Sequence, residues 1–108
     1  GRVFVATRDP DRAGVIIMEL ELGAGVLVPA PRQYVQELVA FARDHGILFI
    51  DDEIQTGFGR TGAMFACEHY DLVPDIMITA KSLAGGLPLA AITGRADVLE
   101  ASQPGGLG

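Results

Sequence analysis

Short apolar runs that each end on a charged residue constrain this chain more than any other feature. Val15-Ile16-Ile17-Met18 closes at Glu19, Ile47-Leu48-Phe49-Ile50 closes at Asp51-Asp52, and Asp75 to Ala80, with Ile76, Met77 and Ile78 inside it, closes at Lys81. Apolar runs this short, rich in β-branched residues and without polar alternation, belong to strands covered on both faces, the habit of parallel sheets. A helix is predicted between the first two. Pro31 opens it, and Tyr34, Val35, Leu38, Val39, Phe41 and Ala42 recur at helical spacing. Arg32, Gln36, Glu37, Arg43 and Asp44 take the opposite face, and Gly46 stands at the stop. A short helical piece is expected around Met64 to His69, a fourth strand over Leu89 to Thr93 and a helical turn over Ala96 to Ala101. The expected fold class is α/β, a partial and mostly parallel sheet with flanking helices and right-handed crossovers.

Strand direction turns this into a statement about chemistry. Parallel strands bring their C-terminal ends to one edge, so Glu19, Asp52 and Lys81 should line a single rim, where open α/β sheets bind ligands. Asp51 is expected as a loop carboxylate beside them.

Composition removes several classes of function. The chain has 108 residues, so it forms one domain at most. Its 49% hydrophobic content and mean hydropathy of +0.33 point to buried elements and not to disorder. A net charge of −6 leaves no basic surface for nucleic acid or an anionic membrane. No apolar run approaches the roughly 18–20 residues of a membrane span. The single cysteine, Cys67, excludes an internal disulfide and fits a reducing, cytoplasmic compartment. The chain begins without Met and closes on Gly105-Gly106-Leu107-Gly108, so it is expected to be a piece of a longer one.

A carboxylate and an amine on one rim suit pyridoxal phosphate. That cofactor needs a lysine that forms an imine with its aldehyde and afterwards moves protons as a free amine. It also needs a carboxylate that keeps the pyridine nitrogen protonated, so that the ring can absorb electrons. A flat apolar contact and a neutral hydrogen-bonding group near the phenolic oxygen complete the set. Asp52, Ile54 and Gln55 offer these within four residues, if the glycine-bearing segment after them bends the chain.

Here the chain resembles a known family. Asp52-Glu53-Ile54-Gln55-Thr56-Gly57-Phe58-Gly59-Arg60-Thr61-Gly62, the later Lys81 and Gly85-Gly86-Leu87-Pro88-Leu89 are similar to the class III, fold type I aminotransferases. The resemblance runs from about Val15 to the end and is weak over the first fourteen residues. Ala63 to His69 and Pro104 to Gly108 look most like the 4-aminobutyrate branch. It implies Lys81 as the Schiff-base lysine, Asp52 at the pyridine nitrogen, Ile54 on the ring face and Gln55 at the phenolic oxygen. Glu19 is a candidate substrate contact. Residues 1–108 would be the central part of the large cofactor-binding domain. The implied reaction moves an amino group from an ω-amino acid to a 2-oxo acid, in a homo-oligomer (dimer or tetramer). The alternatives are another class III activity (ornithine, diaminobutyrate or ω-amino acid–pyruvate aminotransferase, aminomutase or racemase) and a non-catalytic fragment lacking the phosphate site.

Departures from the pattern bear on the substrate. Leu20 stands in place of the family's proline after Glu19, and Ala24 falls where 4-aminobutyrate enzymes carry a glutamate. The phosphate-cradling loop would lie upstream and a phosphate-reaching threonine downstream. Gly57 to Gly62 lacks the Lys-Ser/Thr ending of a P-loop, so nucleotide binding is not expected and Arg60 should brace the loop. His45 and His69 lack metal-ligand spacing, and no metal is expected. Cys67 reads as a small buried hydrophobe on a short helix.

Overall fold

The computed structural model describes residues 3–6, 14–23 and 27–101. In chain order its elements are β1 (Val3–Ala6), β2 (Val15–Met18), β3 (Glu21–Leu22), β4 (Val28–Pro29), α1 (Arg32–Asp44), β5 (Leu48–Asp52), β6 (Ile76–Thr79), β7 (Ala91–Gly94) and α2 (Ala96–Leu99). Two 3₁₀ turns, Ala66–Tyr70 and Lys81–Ala84, flank β6. Five strands form one sheet in the order β1-β2-β5-β6-β7.

The apolar runs become its centre. β2 pairs with β5 in parallel, Val15 beside Leu48 and Met18 beside Asp51, and β5 pairs with β6 in parallel, Asp52 beside Ile78. β1 and β7 close the two edges antiparallel. The predicted parallel core is therefore present, and the chain turns back only at its margins. β1 lies before the stretch that the family motifs cover, and the two-residue ladder of β3 and β4 is too short for any periodicity to announce.

Helix α1 covers one face of this centre. Val35, Val39 and Ala42, spaced one or two turns apart, are buried against a core that includes Ile16, Met18 and Phe49. Each of the two valines contributes roughly 1.5–3 kcal/mol on leaving water, and Ala42 less. The buried stripe is narrower than the predicted one, since Tyr34 and Phe41 are about half exposed. Phe41 instead stacks on His45, ring centroids 4.0 Å apart. The polar side of α1 is exposed, as predicted, and it also makes tertiary hydrogen bonds. Arg32, Gln36 and Arg43 donate to the carbonyls of His69, Tyr70 and Val73 and so dock the segment that leads to β6. Gly46, at φ +65°, ends the helix in the left-handed conformation that favours glycine.

Asp75 fixes the start of β6. Its Oδ2 accepts the Phe49 N–H at 2.8 Å and its Oδ1 accepts Arg95 Nη1 at 2.9 Å, so one carboxylate joins β5, β6 and the residue before α2. With that end fixed, the opposite ends of β2, β5 and β6 open together on one rim.

Candidate functional site

β5 delivers two carboxylates to opposite sides of the sheet. Strand alternation turns Asp51 inward, where it is fully buried, and leaves Asp52 half-buried on the rim. Asp52 Oδ1 then accepts the Ile54 N–H at 3.0 Å, an Asx-type turn that bends the chain as it leaves the strand. A second turn follows, with the Gly57 N–H donating to the Glu53 carbonyl at 2.9 Å. A Cβ at Gly57 would stand 2.9 Å from that carbonyl oxygen, so this close approach requires glycine.

Glu53 anchors the bend from below. It is fully buried, its Oε1 accepts the Cys67 N–H at 3.0 Å, and its other oxygen accepts the Thr56 hydroxyl. With residues 53 and 56 held inward, Ile54 and Gln55 stay half-buried toward the rim.

Lys81 arrives from the neighbouring strand. It follows β6, opens a 3₁₀ turn and adopts φ +44°, a left-handed conformation uncommon for a side-chain-bearing residue. Such outliers gather where the surrounding structure overdetermines a functional geometry. The Lys81 ammonium donates to Gln55 Oε1. Arg60 Nη2 donates to Ser82 Oγ at 3.1 Å and ties the loop after β5 to the turn after β6. Beyond β2, Glu19 Oε2 accepts the Gly23 N–H at 3.5 Å.

These groups surround one pocket. It has a volume of about 320 Å³ and is lined by Glu19, Gly23, Asp52, Ile54, Gln55 and Lys81. That size lies at the lower end of the small-molecule range of roughly 300–1,000 Å³. All five residues singled out from the sequence thus meet at one place, while Ala24 lies outside the described residues. The sequence reading passed over Gly23, which lines the wall next to Gln55.

Asp51 differs from expectation. It is no loop carboxylate but a buried member of β5, and neither of its carboxylate oxygens has a hydrogen-bond partner. Burial, reinforced by the charges of Glu53 and Asp52, pushes its carboxyl up to about 9. The Cys67 thiol, buried on the Ala66–Tyr70 turn, is pushed up to about 12, first by burial and then by the Asp51 and Glu53 charges. The signal for this inner cluster was present in the sequence, because positions 51 and 53 share a strand face and a carboxylate at each must be buried or exposed together.

Comparison with known proteins agrees with this architecture. The family described as Aminotransferase class-III matches residues 2–108. A probable 4-aminobutyrate aminotransferase of Bacillus subtilis is 47% identical over 105 residues, covering 97% of this chain and 24% of that protein. A 5-aminovalerate aminotransferase of Pseudomonas putida is 46% identical over 107 residues, covering 99% of this chain and 25% of that protein. The solved ornithine aminotransferase of Plasmodium yoelii superposes with a TM-score of 0.78 at 31% identity, over 82% of this chain and 24% of that one. The chain therefore spans about a quarter of the length of the relatives it matches.

Proposed function

The chain belongs to the class III aminotransferases, and from that membership we propose that the longer protein moves an amino group from an ω-amino acid to a 2-oxo acid with pyridoxal 5'-phosphate. Members of this family are pyridoxal phosphate enzymes. The observation that carries the reading is the convergence of an amine, a carboxylate, an amide and an aliphatic side chain on one pocket, from the ends of two adjacent parallel strands.

The donor set fits the cofactor. Lys81 would hold its aldehyde end, Asp52 its pyridine nitrogen, Ile54 its ring face and Gln55 its phenolic oxygen. Bound there, pyridoxal phosphate supplies a carbonyl that condenses with amines and a protonated ring that takes up electrons. Asp52 would place a carboxylate beside the pyridine nitrogen and so favour a proton on it. Gln55 orients the Lys81 Nζ through the hydrogen bond between them. Lys81, once uncharged, takes up a proton at Nζ and returns it. Glu19 stands at the pocket edge and is assigned to the substrate. Lys81 is the one cation among the residues lining the pocket, so the grip on the phosphate is assigned to the rest of the longer protein.

Residues 1–108 form part of the large cofactor-binding domain on this reading. A homo-oligomer is part of the same proposal, supported by the exposed Leu87, Leu89 and Ile92 on and before β7, an apolar margin that suits further protein. A cytoplasmic location is supported by the lone, buried, unpaired Cys67. No helix among the described residues is long and apolar enough to cross a membrane.

The donor of first choice is 4-aminobutyrate, supported by the Bacillus subtilis relative, with 5-aminovalerate next through the Pseudomonas putida one. The test uses the full-length protein with pyridoxal phosphate, 4-aminobutyrate and 2-oxoglutarate. Glutamate should form as 2-oxoglutarate is consumed, one for one. An amino group that moves within one substrate while no 2-oxo acid is consumed would overturn the transfer reading in favour of a mutase.

A further inference from the structure

Under the pocket floor lies a second cluster of titratable groups that the proposed reaction leaves unused. Asp51, Glu53 and Cys67 are all buried, and one potential ligand atom from each lies within 4.8 Å of the others. Both Glu53 oxygens already accept hydrogen bonds, from the Cys67 N–H and the Thr56 hydroxyl. Both Asp51 oxygens accept none.

Two carboxylates this close and this dry cannot both stay ionised without compensation. The titratable groups facing Asp51 are Glu53 and Asp52 on its own segment, with Cys67 and Tyr70 on the 3₁₀ turn packed against it. No cation is among them. Tyr70 directs its hydroxyl away, to the carbonyls of Leu20 and Ala30 at 3.1 Å each. Among the described residues, then, no side chain compensates, which leaves a bound cation or a proton.

A metal ion fits poorly. It would compete with the two hydrogen bonds that Glu53 already accepts, and it would need Cys67 as a thiolate, against a thiol pushed up to about 12. A proton needs neither change. Placed on Asp51, it turns the approach to Glu53 into an O–H donation and satisfies part of an otherwise orphaned side chain.

We propose that Asp51 and Glu53 hold one proton between them, as an acid–carboxylate pair, and that this pair positions the Asp52–Gln55 bend above it. Glu53 is the residue that pins the bend, and a neutral Asp51 is the donor that lets Glu53 remain in the core. Asp52 is then left as the one carboxylate of this segment that reaches the pocket. Asp51 and Glu53 are positioning residues, since the pocket is lined by Asp52, Ile54 and Gln55 and not by them. The second half of the proposal rests on the cofactor reading above; the shared proton does not.

The test uses the full-length protein, with and without pyridoxal phosphate. Infrared difference spectra of wild type against Asp51→Asn at neutral pH should show a protonated-carboxyl stretch that moves on deuterium exchange and is independent of the cofactor. No such band would overturn the shared proton, as would a divalent metal held stoichiometrically by wild type and lost in Asp51→Asn. For positioning, Asp51→Asn keeps a neutral donor toward Glu53 and should bind pyridoxal phosphate within about threefold of wild type. Asp51→Leu keeps neutrality without a donor and should weaken binding about tenfold, the scale of one buried polar group left unpaired. Equal binding by Asp51→Leu would overturn the positioning role. Failure of wild type itself to bind the cofactor would count against the function reading and the positioning role, while the infrared band still decides the proton.

Discussion

Lys81 and Gln55 meet across the pocket, the ammonium donating to the amide oxygen, although they follow different strands. Parallel pairing of β5 and β6 places Asp52 beside Ile78, so whatever follows one strand faces whatever follows the other. Lys81 occupies its place at φ +44°, at a cost of roughly 1–2 kcal/mol for a residue with a Cβ. The surrounding bonds hold it there, among them Leu83 N–H to the Ala80 carbonyl at 3.0 Å and Arg60 to Ser82.

Lys81→Ala should leave the pocket walls standing while removing the amine. In the full-length protein loaded with pyridoxal phosphate, amino transfer is expected to fall by at least about 10²–10⁴-fold, the range for losing a positioned proton-transfer group. Steady-state rates check this. A rate near wild type would assign the amine's work to another residue.

Asp52→Asn separates two tasks of one side chain. The amide oxygen can still accept the Ile54 N–H, so the Asx-type turn should persist and circular dichroism should be unchanged. The negative charge is lost, and kcat should drop by about 10²-fold or more, as when a preorganised electrostatic contact is removed. An Asn variant with a wild-type kcat would remove Asp52 from the chemistry.

How much of this was legible in advance follows from the range of each signal. The central strands were readable because β-branched runs such as Val15 to Met18 need no partner to be recognised. Their convergence followed from polarity alone, which is how Glu19, Asp52 and Lys81 could be placed on one rim. Helix α1 was readable in extent and in face, but not in how wide that face is. Its spacing marks Tyr34 and Phe41 as core, yet what packs beneath covers Val35, Val39 and Ala42, with Leu38 partly buried against them, and leaves those two rings about half exposed. Asp51 was misread because aspartate beside a glycine-bearing loop is ordinarily a turn residue. Alternation says that 51 and 53 share a side, but which side is covered depends on chain that returns later, where the Cys67 N–H reaches Glu53 from fourteen residues on.

Arg60→Ala should loosen the link between the two loops without touching the pocket. The bond to Ser82 at 3.1 Å is exposed and contributes about 1 kcal/mol or less. KM for the amino donor and cofactor affinity should therefore change by no more than about fivefold, with the melting temperature nearly unmoved. A complete loss of activity would show that Arg60 contacts a ligand directly.

Asp75 and Arg95 should respond unequally although they pair at 2.9 Å. Arg95→Ala removes surface pairs to Asp75 and Asp97 that solvent screens, with the arginine 55% exposed, and should lower stability little. Asp75→Ala also strands the N–H of Phe49, a residue only 2% exposed, at a cost of about 1–3 kcal/mol. Denaturation midpoints of the two variants should therefore separate, with Asp75→Ala the lower. Equal midpoints would mean that the Phe49 N–H finds another acceptor.

Asp51 gives the protein a pH dependence of defined sign. Its carboxyl moves from 3.8 when exposed to about 9 in the folded chain, first because it is buried. The folded state therefore holds a proton that the unfolded state releases. Below about pH 4 both states are protonated and the group contributes its full stability. As pH rises toward 9 that stability is lost, by up to about 1.4 kcal/mol per pH unit, and above 9 the loss stops. Asp51→Asn cannot ionise and should escape the loss. Its denaturation midpoint should match wild type near pH 4 and exceed it increasingly toward pH 9, then run parallel. A constant gap across that window would show that Asp51 is ionised in the folded protein and held by something other than a proton.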